Sequence, residues 1–352
     1  MEHGGPVIRY RTAHEIRGEK DLENLRDDLL SSNLVVKWLS LLQPRFRNWE
    51  IHGAKSENYE NAMGKLYEFG LRRGMPALDE RTEPYLEYLG GLVGKIEVGE
   101  SPYSWSYLTM VAAFLSMTGY SREEAVDSVI RHRLDTIHGY AVEGDLSEVY
   151  VPPDGVGSIP RKFRGRPILN PELYRDDESM LPSIYDIYCI LHSEPVMGDP
   201  TARGKAERVV EFVLSPEYQG LYPGYGVLYE LNPRRFYSAG WSLHLFGYFD
   251  EHPHGEAMAR SICLDRGNLL RLSLLSRSET ARAHPWFKRT LEGLERYRTD
   301  DGVYSFPRGM MPEKSSGYWV SGRRMGLKEN RRSGKAGALE STFRYHEITR
   351  HK

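Results

Sequence analysis

Residues 57–72 read ENYENAMGKLYEFGLR. Tyr59, Met63, Leu66 and Phe69 recur every three or four positions, the spacing that gathers apolar side chains on one face of an α-helix. Leu71 is the last apolar member, and Gly74 followed by Pro76 reads as a stop. Just upstream, 34–42 (LVVKWLSLL) is apolar everywhere but Lys37 and Ser40, which fits a largely buried helix ended by Pro44. Two such helices at short range predict a hairpin, and the pattern recurs along the chain.

Helices are expected over 84–94, 103–117 and 122–137, the last opened by a capping box of Ser121 and Glu124, with Gly119 and Gly139 as punctuation. Further helices are expected over 183–192, 205–214, 256–275 and 279–297, with Ser278 capping the last. Grouped, these give hairpins at 34–72, 103–137, 183–214 and 256–297. A strand-like element is expected only at 302–306, since few segments alternate with period two. Residues 141–181 break the pattern. They hold prolines at 152, 153, 160, 167 and 171, a basic middle (Arg161, Lys162, Arg164, Arg166) and an acidic end (Asp176, Asp177, Glu178). A long irregular insertion is expected there, the kind of loop that is functional or disordered.

The whole chain supports a folded protein: 352 residues, 40% hydrophobic and 27% charged. A formal net charge of -2 supplies no field to draw in nucleic acid or an anionic membrane, so nucleic acid is not an expected partner. Two cysteines imply no disulfide framework. The charged N-terminus lacks the apolar run of a secretory signal, and the apolar stretch 109–117 is far short of a membrane span, so a cytoplasmic location is expected. The 23 tyrosines and 6 tryptophans are suited to the wall of a wet cavity.

The connections Gly119-Tyr120, Gly139-Tyr140 and Gly224-Tyr225, and above all Tyr297-Arg298-Thr299-Asp300-Asp301-Gly302-Val303-Tyr304-Ser305-Phe306, are similar to the inter-hairpin turns of the α/α-toroid group, which includes terpenoid cyclases and protein prenyltransferase β subunits. The resemblance covers 34–310 and implies an all-α fold, an α/α toroid or incomplete (α/α) barrel of helical hairpins with 141–181 as its insertion. Residues 1–33 would then be a charged N-terminal segment, and 311–352 a basic C-terminal segment packing on the domain. The motifs that carry the group's activities are missing. Asp27-Asp28, Asp176-Asp177 and Asp300-Asp301 lack the leading aspartate of an Asp-x-Asp-Asp acid, Gln-Trp repeats are absent, and Cys263 precedes Asp265 in the reverse of the zinc-binding order. Fold therefore transfers without activity, and neither a metal nor a cofactor is expected.

Two stretches carry candidate chemistry. In 185–192, Asp186, Cys189 and His192 lie three apart on one helical stripe beside Tyr185 and Tyr188; Asp186 is the candidate acid or base and His192 its partner. In 234–244, Arg234 and Arg235 are a candidate anion clamp, Tyr237 and His244 candidate proton carriers, and Trp241 shares a helical face with His244. Trp319 sits in a basic stretch with Arg323, Arg324, Lys328, Arg331 and Arg332 and is a further candidate contact. The expected function is an enzyme with a central aromatic cavity performing acid-base chemistry, of cyclase, lyase or transferase type, on a small, partly apolar substrate with room for an anionic group. Two alternatives stay open: a non-catalytic helical scaffold binding protein or RNA through the basic C-terminal stretch, and a glycan-active toroid enzyme.

Overall fold

The computed structural model describes residues 3–92, 104–156, 158–175, 178–230, 235–249, 265–327 and 334–351. The fold is predominantly helical with little sheet. The helices are α1 (Pro6–Arg11), α2 (Glu23–Ser31), α3 (Asn33–Leu39), α4 (Asn48–Ile51), α5 (Tyr59–Glu68), α6 (Pro76–Leu92), α7 (Ser104–Met117), α8 (Glu124–Glu143), α9 (Ile184–His192), α10 (Glu194–Gly198), α11 (Pro200–Val213), α12 (Pro216–Gln219), α13 (Asp265–Leu275), α14 (Glu279–Ala283), α15 (Pro285–Glu295) and α16 (Gly334–Thr349).

Two series of neighbours organise them. In the first series α5 lies beside α7, α7 beside α9, α9 beside α13, and α13 beside α16. Every residue of α5 is buried, including Glu60, Asn61, Lys65 and Glu68, because other elements cover it on all sides. In the second series α3 packs on α6, α6 on α8, α8 on α11 and α11 on α14. Arg344 of α16 pairs with Glu68 of α5. Against α5 and α13 of the first series runs the strap 317–327. Its Trp319 is fully buried against Phe114 of α7 and Tyr188 of α9, with ring centroids 5.5 and 5.3 Å away. Gly64 of α5 makes room for that indole, since a Cβ there would lie 2.4 Å from it.

The insertion leaves α8 at Glu143 and forms short strands: β1 (Tyr150–Val151), β2 (Ile168–Leu169), β3 (Tyr174–Arg175) and β4 (Glu178–Ser179). It joins a hairpin of β5 (Val227–Glu230) and β6 (Arg235–Ser238) in a sheet ordered β1-β2-β5-β6, with β2 parallel to β5 and the other pairs antiparallel.

Several local expectations are revised. Pro76 opens α6 instead of stopping a helix, since proline suits a first helical turn. Glu123, not Ser121, is the N-cap of α8; the Ser121 hydroxyl accepts from the Glu194 backbone N–H instead. Gly139 does not end α8, which runs on to Glu143. The helix expected from 205 begins at Pro200, with the Asp199 carboxylate as its cap. The strand expected at 302–306 is one antiparallel bridge, Arg298 to Tyr304. Ser278 does cap α14, accepting from the Ala281 N–H. The N-terminal segment is less solvated than its charge suggests: Val7, Ile8, Tyr10 and Arg11 are buried. No helix among the described residues is long and apolar enough to cross a membrane.

Candidate functional site

One cavity of about 940 Å³ opens beside the N-terminus of α9. Its walls come from the start of α7, the Tyr222–Gly226 turn, the end of β6 and the insertion. Each wall is fixed by an identifiable contact. Ser183 caps α9 and forms a capping box with Asp186. Arg133 of α8 reaches the Asp186 carboxylate with two nitrogens, at 2.8 and 3.2 Å, and also bonds Glu178 and the Ser179 carbonyl at the insertion's exit. The Ile184 N–H donates to the Trp241 carbonyl at 2.7 Å, which holds Trp241 beside the helix. Across the cavity Gly224, Tyr225 and Gly226 are all left-handed, and Tyr225 is the one non-glycine residue so placed among those described. Its hydroxyl pays back that strain through bonds to the Pro182 carbonyl at 2.6 Å and the Tyr218 hydroxyl at 2.7 Å.

At the centre of the aromatic wall stands His52, the residue after α4. Its loop is stitched to α5: the Asn61 amide donates to the Gly53 and Lys55 carbonyls at 2.7 and 2.6 Å. The imidazole stacks on Tyr318 at 4.6 Å and meets Trp241 edge-on at 5.5 Å. Its Nδ1 lies 2.6 Å from Oε2 of Glu60, whose side chain is fully buried. Its Nε2 accepts from the Trp241 indole N–H at 3.1 Å. An indole nitrogen only donates, so Nε2 carries the lone pair and Nδ1 the proton, directed at Glu60. The Tyr185 hydroxyl, 3.4 Å from Nδ1, reaches the same carboxylate. Burial first, and the Glu60 charge second, push the Tyr185 phenol well above its ordinary range, so it stays protonated.

The sequence candidates divide among several places. Tyr185, Asp186 and Trp241 line the cavity. Asp186 accepts from Arg133 and from the Ser183 N–H and hydroxyl, a set of bonds that ties α8 to the N-terminus of α9. Tyr188 and Trp319 pack together in the core beneath, with His192 beside Tyr188. His192 bonds the Tyr188 carbonyl and the Tyr67 hydroxyl, and burial, then the charge of Arg277, holds its pKa well below the ordinary histidine value. His244 is buried behind the hairpin, between the Ser242 hydroxyl and the Leu221 carbonyl. Tyr237 and Arg235 lie on β6, and Tyr237 faces a second, smaller cavity. Arg234 lies outside the described residues. The basic C-terminal stretch is partly internal: Arg324 is buried and donates to the carbonyls of Ala54, Ser315 and Gly317 and to the Ser56 hydroxyl. Lys328, Arg331 and Arg332 lie outside the described residues, as does Cys263. Among the described residues no three His, Cys, Asp or Glu side chains gather as a metal site.

Sequence reasoning missed His52, Glu60, Tyr318 and Arg133. Glu60 sits one residue after Tyr59 on the helix read as decisive, but a helical stripe does not announce a buried glutamate. No family model matches this chain, and no curated protein or solved structure shows similarity to it.

Proposed function

We propose that this chain is an enzyme whose aromatic cavity receives a small, partly apolar substrate with an anionic group, and that His52 moves a proton there. The observation that carries this reading is the Glu60–His52–Trp241 chain of hydrogen bonds opening on the cavity. A base oriented by a buried carboxylate, with its other nitrogen facing a ligand space, is the general arrangement for proton transfer. A substrate group replacing the Trp241 N–H at Nε2 delivers its proton there. The imidazolium so formed keeps its Nδ1–H on Glu60, which balances the new charge. The His52 imidazolium returns that proton to the substrate in the second step, while the Tyr185 phenol stays protonated and keeps its bond to Glu60. The Nδ1–H bond to Glu60 and the stacked Tyr318 ring keep the direction of the imidazole once the Trp241 N–H is displaced.

The two series of neighbouring helices, read as an inner and an outer layer, support an α/α toroid as the underlying architecture, with one modification. The strap bearing Trp319 fills the middle, so the working space lies at one end of the ring, under the insertion. The scaffold alternative loses support because Arg324, a core member of its basic stretch, is enclosed. The test is a screen of metabolite mixtures for substrates consumed by the wild type, repeated with His52→Gln and Glu60→Gln. Removal of a general base costs about 10²–10⁴ in rate. The expected result is loss of turnover on that scale for His52→Gln with substrate affinity retained. Undiminished turnover by His52→Gln overturns the assignment.

A further inference from the structure

Five acidic or basic side chains besides His52 and the tyrosines line the large cavity: Arg133, Lys162, Arg164, Arg166 and Asp186. Arg133 and Asp186 neutralise one another, and Glu178 adds a second acid to Arg133. The three cations of the insertion are different. Arg164 has one long hydrogen bond, to the Ile159 carbonyl at 3.4 Å, and Lys162 and Arg166 lie against the Phe163 ring at 4.6 and 6.0 Å. Among the described residues none of the three has a carboxylate within ion-pair distance. All three are exposed, whereas Phe163 between them is buried and stacked on Phe236 at 6.2 Å. Beside the β2–β5 pairing, the Phe163 ring anchors this part of the insertion, and the three cations, without an acid partner among the described residues, stand along the exposed side of the cavity. Lys162 and Arg166 also line the second cavity, of about 320 Å³, so they stand on the ridge between the two spaces.

Like charges gathered on one short segment repel one another, and a bound anion relieves the repulsion. A single carboxylate satisfies one guanidinium fork; two arginines and a lysine together match the several oxygens and higher charge of a phosphate. Among the other lining residues are the aromatic side chains Trp105, Tyr107, Tyr222, Trp241 and Tyr318. Such walls favour a flat ring by stacking.

We infer that the ligand class is an aromatic phosphate ester, its ring between the aromatic walls and its phosphate on Lys162, Arg164 and Arg166. The inference rests on the reading of this cavity as the substrate site and narrows it. The test is calorimetric titration of the full chain with phenyl phosphate and adenosine monophosphate, and with phenol and adenosine as their uncharged parents. The same titrations are repeated on Lys162→Ala/Arg164→Ala/Arg166→Ala, whose replaced side chains are exposed and whose melting temperature checks folding. The esters are expected to bind at least about tenfold more tightly than their parents, the equivalent of one charge-assisted hydrogen bond, and to lose that advantage in the triple variant. Parents binding as tightly as esters, a triple variant with unchanged ester affinity, or no ester binding at all overturns it. His52→Gln separates the two proposals: ester binding that survives in a variant without turnover upholds both. Intact turnover in that variant removes the proton role of His52 and leaves the phosphate site standing.

Discussion

At the scale of single residues, the decisive fact is how differently two acids one helix apart are used. Asp186 was legible as a candidate because an aspartate among tyrosines and isoleucines looks conspicuous in sequence. Its surroundings in space, an arginine from α8 and a serine cap, make it a tie between elements. Ser183→Ala is accordingly expected to cost about 1 kcal/mol, the usual worth of an N-cap. Asp186→Leu is expected to cost roughly 3–5 kcal/mol by leaving Arg133 buried with only Glu178 as its acid partner. Denaturant midpoints check both, and equal losses for the two would contradict the tie. Glu60 carried no such sequence signal. Its partner His52 lies eight residues earlier, in a short loop outside α5, where the periodicity of the helix does not reach. The pair forms where Asn61 and Asn58 fold the loop back onto α5.

At the scale of elements, the helices were the readable part because their apolar periodicity survives in any packing arrangement. Their ends were less readable, since prolines and serines serve equally as starts, stops and tertiary contacts; Pro76 and Ser121 show both ambiguities. The insertion was recognisable as irregular but not as a wall. Its folding depends on β2 docking beside β5, a contact between residues some sixty positions apart. Gly226 is where that docking is closest: its φ is +94°, and a Cβ would fall 2.3 Å from the Pro167 carbonyl oxygen. Gly226→Ala is expected to separate the insertion from the hairpin and to raise protease cleavage within 145–170 while the helical circular dichroism stays near wild type. Tyr225→Phe removes two hydroxyl bonds and is expected to cost about 1–2 kcal/mol. An insertion as protected in Gly226→Ala as in the wild type would contradict the account of this wall.

At the scale of the whole molecule, buried charge joins the two ends of the chain. Arg11 of α1 bonds Glu15 and Glu347 and lies near Glu68; Arg344 of α16 bonds Glu68 and Glu347; Arg350 and Arg72 both reach Glu15. Arg344→Met is expected to cost about 3–5 kcal/mol because two glutamates then lose a buried partner, and Glu68→Met added to it is expected to restore part of the loss. Acid acts on the same fold through groups whose proton affinity changes on folding. Burial, then the charge of Arg277, holds His192 well below its ordinary range and lowers His351 to about 4. Unfolded rings take up protons from about pH 6.5 downward, so the stability owed to these neutral histidines is complete above that pH and is lost as pH falls toward the folded values. Glu15, which burial alone would raise, is drawn down to about 2 by Arg11 and Arg72, so its contribution is complete above the ordinary carboxylate value of 4.5 and is lost between there and 2. Thermal melts are expected to be flat above pH 6.5 and to fall below it, with His192→Gln flattening the upper part of the decline. The account as a whole depends on the cavity imidazole. Nitrogen-15 NMR of His52, assigned by comparison with His52→Gln, reads its tautomer directly. The account predicts a proton on Nδ1, a bare Nε2, and a shift of the Nε2 signal when phenyl phosphate fills the cavity. A proton on Nε2 instead, or an Nε2 signal indifferent to a bound ester, would contradict it.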